Sequence, residues 1–412
     1  MATEKMSVRC CIAGGGPAGI MLGLLLARAG VEVLVLEKHA DFLRDFRGDT
    51  IHPSTLEVMH ELGFLEDLLK LPHQKAPRLK AQVGDLGLTV ADFTHLPAHC
   101  RFLAFMPQWD FLNFLAERGA RYPTFKLLMQ TEVTGLIEEV GSVVGLKAAT
   151  PDGPLEVRAD LVVGADGRHS VVRDQAGLKI DELGAPMDVL WFRLSRLPDD
   201  PGEPMGRFDS GRIFIMLNRG AYWQCGFVIP KGTLEQLQER GLPAFRISIA
   251  KMAPFVAERV GELLDWDAVR LLTVRVDRLP RWYRSGLLCI GDAAHAMSPI
   301  GGVGINLAIQ DAVATANLLA EPLRNGRLAG RHLRLVQRRR EWPTRLTQRM
   351  QILVQNRVIK RVLESSDRLS PPRAVRLLAS FPFLRRIPAR LIGIGFRPEH
   401  VRTPSAWPDT DA

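Results

Sequence analysis

Along the chain, short β-branched or aliphatic runs alternate with longer segments whose apolar residues recur at helical spacing. The clearest case opens the sequence. Cys10-Cys11-Ile12-Ala13 is an apolar run that stops at Gly14-Gly15-Gly16-Pro17-Ala18-Gly19. A Leu/Ala-rich segment follows to Ala29, Gly30 stops it, and Val31, Val33, Leu34, Val35 and Leu36 make a second run ending at Glu37. The pattern predicts strand, glycine turn, helix, strand. Further on, Pro53 predicts a helix start, with Leu56, Met59 and Leu62 on its inner face and Gly63 at its end. Residues 82–93 predict a hairpin, and Pro107-Gln108 opens another helix. Phe125–Met129, Glu132–Glu138 and Val143–Ala149 alternate as strands, and Pro151-Asp152-Gly153 turns the chain into Leu155-Glu156-Val157. Leu161-Val162-Val163 predicts a separate buried strand, with a helix beginning near Ser170.

From Met187 to Val276 the texture changes to β-branched and aromatic runs such as VLWFRL, RIFIML and YWQCGFVI, separated by Pro, Gly and Asp, with helical pieces over 233–264. This predicts the sheet of a second lobe inserted into the first. Leu287–Ile290 predicts a strand, and a long apolar helix begins at about Ile305. Residues 328–363 have mostly helical spacing, with Pro343 expected to start or kink part of that helix. The proline-containing end is expected to fray. The expected division is 1–75, 100–182 and 277–325 for a discontinuous first domain, 76–99 and 183–276 for the inserted domain, and 326–412 for a C-terminal helical region.

With 412 residues, 46% of them hydrophobic, two lobes with a large core are the natural expectation. The uncharged stretch Cys10–Ala27 has the length of a membrane span, but glycines and a proline break it, so a buried strand plus helix explains it better. No signal peptide is read in MATEKMSVR, and five scattered cysteines suit a reducing cytoplasm without a disulfide framework or metal-ligand spacing. The net charge of +9 is uneven: from Glu321 onward 20 Lys+Arg face 7 Asp+Glu, which leaves the first 320 residues slightly acidic. A solvated arginine-rich helical face is the ordinary explanation. In 381–396, however, Arg385, Arg386 and Arg390 are interleaved with Phe383, Ile387, Leu391 and Ile394, a composition that also suits weak contact with an anionic membrane surface.

The candidate chemistry lies in the glycine turns. Gly14, Gly16 and Gly19 follow a strand, open a helix and precede Glu37 at the end of the next strand, the order of a dinucleotide-binding unit. Gly14 permits the tight turn, Gly16 lets backbone N–H groups approach a pyrophosphate, Gly19 lets helix and strand pack, and Glu37 can accept from a ribose hydroxyl. Two further glycine–acid turns end strands: Gly164-Ala165-Asp166-Gly167 and Gly291-Asp292, the latter followed by Gly301-Gly302-Val303-Gly304. Ligands of open α/β sheets lie beyond such strand ends, so Asp292 is expected to meet a ligand rather than cap a helix.

These three motifs, in this order over residues 7–323, resemble the class A flavoprotein monooxygenases, the para-hydroxybenzoate hydroxylase-like family. The resemblance implies an α/β fold: a Rossmann-like FAD-binding domain, an inserted mixed β-sheet substrate domain and a C-terminal helical region. It implies that Gly14, Gly16, Pro17, Ala18, Gly19, Glu37 and Lys38 hold the ADP half of a non-covalent FAD. Asp166 and Gly167 would serve FAD and NAD(P)H, and Gly291 and Asp292 the ribityl-pyrophosphate. Pro299, Gly301, Gly302, Gly304 and Asn306 would pass along the isoalloxazine, with Arg47 and Gln108 near the flavin and its ribityl chain. Asp110 follows Gln108 closely, in a region where many relatives carry Arg.

The implied activity uses NADH or NADPH and O2 to hydroxylate or epoxidise an aromatic or quinone-like, lipophilic substrate through a flavin C4a-hydroperoxide, the cofactor supplying the hard chemistry. The helix dipole after Gly304 would favour the negative charge of reduced flavin. No catalytic side chain is assigned: His295, like His52 and Tyr222, reads better as a packed residue than as a general base. The alternative is another FAD-dependent oxidoreductase, such as a prenyl-chain reductase. Trp223–Pro230 is similar to a flavin-halogenase segment, but Cys225 replaces its second Trp, which argues against halogenation. The expected partners are a small aromatic substrate and O2 but no nucleic acid, in a cytoplasmic monomer or homodimer.

Overall fold

The computed structural model describes residues 3–43, 50–365, 371 and 373–407. Five parallel strands form the centre of the larger sheet, in the order Leu287–Cys289, Gly153–Gly164, β1 (Glu4–Ala13), β2 (Val33–Leu36) and Phe125–Leu128. Its middle strands are apolar on both faces where helices cover both sides: Cys10 to Ala13 and Val33 to Leu36 are all buried. The segments around Leu155–Val157 and Leu161–Val163 are one continuous strand rather than two. The polar residues between them point outward by simple alternation, Arg158 to Glu139 and Asp160 to Arg9, so they interrupt nothing.

α1 (Pro17–Arg28) packs against the helices Gln108–Gly119 and Gly304–Arg324. The last of these is long and apolar enough to cross a membrane by composition, yet 83% of its most apolar window is buried inside the protein. It is a core helix.

The second sheet has seven strands, in the order Arg270–Leu272, Met187–Ser195, Tyr222–Pro230, Arg212–Asn218, Met205–Asp209, Arg78–Val83 and Leu86–Asp92. All neighbours are antiparallel except Met205–Asp209 with Arg78–Val83, so the sheet is mixed and recruits a hairpin from far upstream. Strand alternation splits its apolar residues. Leu190, Phe192, Phe214 and Phe227 pack under the helix Leu242–Met252, while Val189, Ile213 and Val228 form a second cluster on which Ile300 packs.

Two expectations for the C-terminal region are corrected. The helix Gly330–Val354 runs through Pro343 without restarting, its packing on Gly304–Arg324 overriding the local preference. Nor does the chain fray before Trp407. Trp407 Nε1 donates to the Ala27 carbonyl at 3.0 Å, Arg28 Nη1 to the Thr403 carbonyl at 2.8 Å, and the Val401 N–H to Glu61 at 2.7 Å. These partners are more than 300 residues away in sequence, so local composition could not reveal them.

Candidate cofactor and active site

The first turn is built by close approach. Gly14 has φ +102°, and a Cβ there would stand 2.4 Å from the Ala165 carbonyl oxygen; one on Gly19 would stand 1.9 Å from the Gly14 oxygen. Side chains at either place would push the helix off the turn. Gly16 caps α1 with no side-chain partner, Pro17 occupies the first turn, and the first turn carries no acid. A Cβ on Gly16 would meet nothing within 4 Å, so the space before the helix's first N–H groups is clear. Glu37 is buried at the end of β2, oriented by the Gly15 N–H at 2.9 Å and the His39 N–H at 3.1 Å. Lys38 beside it is exposed.

The other two motifs converge on this turn. The Ala165 N–H donates to the Ala13 carbonyl at 2.8 Å, which fixes Asp166 beside Gly14. Asp166 accepts from Ser170 Oγ at 2.5 Å and from the Val172 N–H at 3.2 Å, so it also caps the helix Val171–Gln175. Burial pushes its carboxyl up, against the lowering effect of these bonds. Gly167 has φ +83°. Gly291 has φ +59°, and a Cβ on it would lie 3.1 Å from Ala18 Cβ and 3.5 Å from Ala308 Cβ. The third motif therefore sits between the starts of α1 and Gly304–Arg324. Next to it Asp292 is ion-paired with Arg168, Nε to Oδ2 3.2 Å. The buried Arg173 donates to the carbonyls of Arg168 and Ala293, tying the second and third turns together.

Gly301 and Gly302 have φ +78° and +63°, a turn that favours glycine at both places. The helix after it has no acid in its first turn and no side-chain cap, leaving its positive end uncompensated by its own residues. Pro299 and Gly304 flank that turn. Asn306 is buried, its Oδ1 accepting from Thr55 Oγ1 at 2.8 Å and lying 2.7 Å from Ser54 Oγ. His52 Nε2 lies 2.9 Å from the Gly302 carbonyl.

Behind the third motif runs a buried charge network. The Gly291 N–H donates to Asp311 Oδ2 at 3.1 Å, and His295 Nε2 is 2.6 Å from the same oxygen. Arg340 bonds the other Asp311 oxygen, and also Glu399 and the Arg397 carbonyl. Burial would raise the Asp311 carboxyl, but His295 and Arg340 outweigh it and hold it below the usual carboxylate range. The ring of Trp282 lies 5.0 Å from that of His295. His295 is thus a packed, bonded core residue.

Glycine turns, Glu37, Asp166, Asp292 and Asn306 gather at the carboxyl ends of the parallel strands. Gln108 stands half-buried at the start of its own helix, while burial raises the carboxyl of Asp110 nearby. Arg47 lies outside the described residues. Arg168 could have been found from its place after Gly167. Ser54, Thr55, Asp311, Arg340 and Glu399 carry no local signal, because each acts on a residue brought near only by the fold. The clear space at Gly16, the uncapped helix starts and the oriented Glu37 fit a dinucleotide with a pyrophosphate and a ribose.

A nucleotide turn, two auxiliary glycine–acid turns and a second, mixed sheet define an α/β nucleotide-binding fold. A family model described as FAD binding domain matches residues 7–350. The chain is 35% identical over 386 residues to 6-methylpretetramide 4-monooxygenase of Streptomyces rimosus, covering 92% of this chain and 91% of that protein. It is 31% identical over 320 residues to 12-dehydrotetracycline 5-monooxygenase/anhydrotetracycline 6-monooxygenase of the same species, spanning 60% of that longer protein. The crystal structure of p-nitrophenol 4-monooxygenase from Pseudomonas putida shares the fold, with a TM-score of 0.76 at 20% identity over 96% of this chain and all of that one. The chain belongs to the class A FAD-dependent aromatic monooxygenases. It is an oxidoreductase that uses FAD, with NAD(P)H as the electron donor. These relatives support the monooxygenase reading and not the alternative of a prenyl-chain reductase.

Proposed function

We propose that this enzyme hydroxylates a polycyclic aromatic polyketide of the pretetramide type, with O2 as co-substrate. The observation that carries the reading is the similarity to 6-methylpretetramide 4-monooxygenase over nearly the whole of both chains. Trp191 is the partly exposed member of the apolar cluster that also receives Ile300 of the glycine turn, while Val189, Ile213 and Val228 are buried there with Ile359 and Val362. A Cβ on Gly226 would come within 3.0 Å of the Trp191 ring, so glycine there lets the indole lie flat across the neighbouring strand. A partly exposed indole beside the turn suits contact with a fused-ring phenol.

In this reading the N–H groups after Gly14 and Gly16, at the start of α1, hold the pyrophosphate of FAD, helped by Pro17, Ala18 and Gly19. Glu37 takes the ribose, with Lys38 beside it. Gly291 and Asp292 take the ribityl side, and Gln108 and Arg47 lie toward the flavin. Pro299, Gly301, Gly302, Gly304 and Asn306 follow the isoalloxazine ring, where the positive end of Gly304–Arg324 favours negative charge. Asp166 and Gly167 serve FAD and the nicotinamide donor, NADH or NADPH. Bound FAD supplies the hydride acceptance and oxygen activation. The chain's part is to orient ring and substrate and exclude water.

The site of action is cytoplasmic, as a monomer or homodimer, with transient contact to an anionic membrane surface. Leu377, Phe381, Phe383 and Ile387 are exposed, and so are Arg376, Arg386 and Arg390 around them. Phe383 is 62% exposed and does not cap the inserted lobe, whereas Ala389 is buried on that lobe's edge and Ile392 and Ile394 pack against the same cluster. The test of the main reading is consumption of NAD(P)H and O2 on addition of 6-methylpretetramide, with a product heavier by one oxygen. Consumption that no polycyclic phenol stimulates would overturn it.

A further inference from the structure

The segment His52–Thr55, at the start of the helix Pro53–Glu61, stands between two parts of the chain that are far apart in sequence. One is the glycine turn and the start of Gly304–Arg324; the other is the end of the helix Arg386–Gly393. His52 is fully buried, with Nε2 2.9 Å from the Gly302 carbonyl and Nδ1 2.7 Å from the Ile392 carbonyl. Ser54 repeats the arrangement two residues on, its Oγ 2.7 Å from Asn306 Oδ1 and 2.9 Å from the Gly393 carbonyl.

Each bridge has two acceptors and, for a neutral imidazole or a hydroxyl, one proton. The two carbonyls on the tail side belong to the last turn of a helix, where C=O groups lack intrahelical partners and need outside donors. On the other side, Gly301 and Gly302 need support of another kind, because glycine restricts its own backbone least. A Cβ on Gly302 would lie 3.1 Å from Thr50 Oγ1, so this turn is also packed directly against the residues preceding His52. The helix Arg386–Gly393 is seated equally closely: a Cβ on Gly393 would come within 2.8 Å of Leu96 and 3.2 Å of Pro53.

The geometry points to His52 as a positioning residue for the flavin turn: its Nε2–H holds the Gly302 carbonyl, and its ring, with Ser54, couples that turn to the C-terminal helix. The inference rests on the assignment of Pro299–Asn306 to the isoalloxazine. Burial lowers the proton affinity of the imidazole, which favours the neutral ring and hence one donated bond at a time, although both carbonyls pull the other way. With Nε2 as the donor the turn is held and the Ile392 carbonyl depends on its other neighbours. With Nδ1 as the donor the tail is held and the turn is freer.

Two substitutions separate the bonds. In His52→Gln the amide nitrogen takes the place of Nε2, and in His52→Asn that of Nδ1. The full-length proteins are deflavinated and titrated with FAD; the visible spectrum of the bound flavin is recorded, together with thermal unfolding and protease cleavage of the C-terminal segment. The expected result is that His52→Gln keeps its FAD Kd within about twofold of wild type and its C-terminal segment is cut no faster. His52→Asn is expected to raise the FAD Kd by about fivefold, the equivalent of one net hydrogen bond, and to shift the flavin spectrum. Equal FAD affinity and equal spectra in the two variants, or the reverse order, would overturn the assignment of His52. Neither measurement uses an aromatic substrate, so failure of the proposed substrate reading shows separately; wild-type protein that does not bind FAD would instead overturn the flavin assignment itself.

Discussion

Arg340 Nε donates to Asp311 Oδ1 across 3.0 Å, and the two residues are 1% and 0% exposed. The pair joins the turn at Gly291, whose N–H Asp311 accepts, to the terminal strip at Glu399, which Arg339 also grips with two bonds of 2.7 and 3.0 Å. Part of the basic tail is therefore internal wiring and not a solvated face. Arg340→Ala would leave Asp311 and Glu399 buried without their shared partner, which costs about 3–5 kcal/mol. Urea unfolding should show that loss, and the FAD Kd should rise with it because the Gly291 turn loses its support. A variant as stable as wild type would mean that the network contributes nothing.

Asp292 and Glu37 should differ in their weight on the cofactor. Asp292→Ala is expected to weaken FAD by about 1–3 kcal/mol through loss of charge-assisted bonds. Glu37→Ala should cost less. Flavin-fluorescence titration of the deflavinated proteins measures both. Normal FAD retention by Asp292→Ala would remove Asp292 from the site.

Asp166 is expected to bear on both nucleotides, although its carboxylate also caps the helix at Val171. Asp166→Asn, which preserves the size of the cap, should lower FAD affinity and slow reduction by NAD(P)H in stopped flow. Normal flavin content combined with normal reduction kinetics would contradict the shared role.

Acid stability should report a pair in the inserted lobe. Arg259 holds Asp200 by two bonds of 2.7 Å, and Trp223 Nε1 adds a third. Arg259 first of all holds the Asp200 carboxyl down, to about 2 from 3.8. Between those values the unfolded chain binds more protons than the folded one, so this contribution is complete above the ordinary carboxylate range and lost as pH falls toward 2. Asp200→Asn should cost about 3–5 kcal/mol near neutrality by stranding Arg259, and should flatten the stability profile in that acid window. An unchanged profile in urea titrations from pH 5 to about 2 would count against the pair.

Wild-type protein should sediment with anionic vesicles at low salt, and Phe383→Glu together with Ile387→Glu should abolish this. Both side chains are exposed, so the substitutions should leave the melting temperature nearly unchanged. Failure of wild-type protein to sediment would end the membrane proposal and leave a freely diffusing aromatic substrate.

The βαβ opening, the glycine–acid turns and the inserted sheet were legible in the sequence because each is a local pattern: a period, a breaker or an acid a few residues from a strand end. Gly14, Gly16, Gly19 and Glu37 signal a nucleotide site through spacing alone, since one turn and one helix bring them together. Tertiary structure alone decided that Gly291 rests on Ala18, that Ser54 and Thr55 hold Asn306, and that Arg340 reaches both Asp311 and Glu399. It also decided the terminus. Residues 397–407 look like a loose, proline-broken tail until Glu61, Ala27 and Arg28 supply their partners. Hydrogen bonds and ion pairs between distant segments leave no periodic trace in a sequence, because the backbone between the partners is free to take any path. Only the packed fold sets their distance.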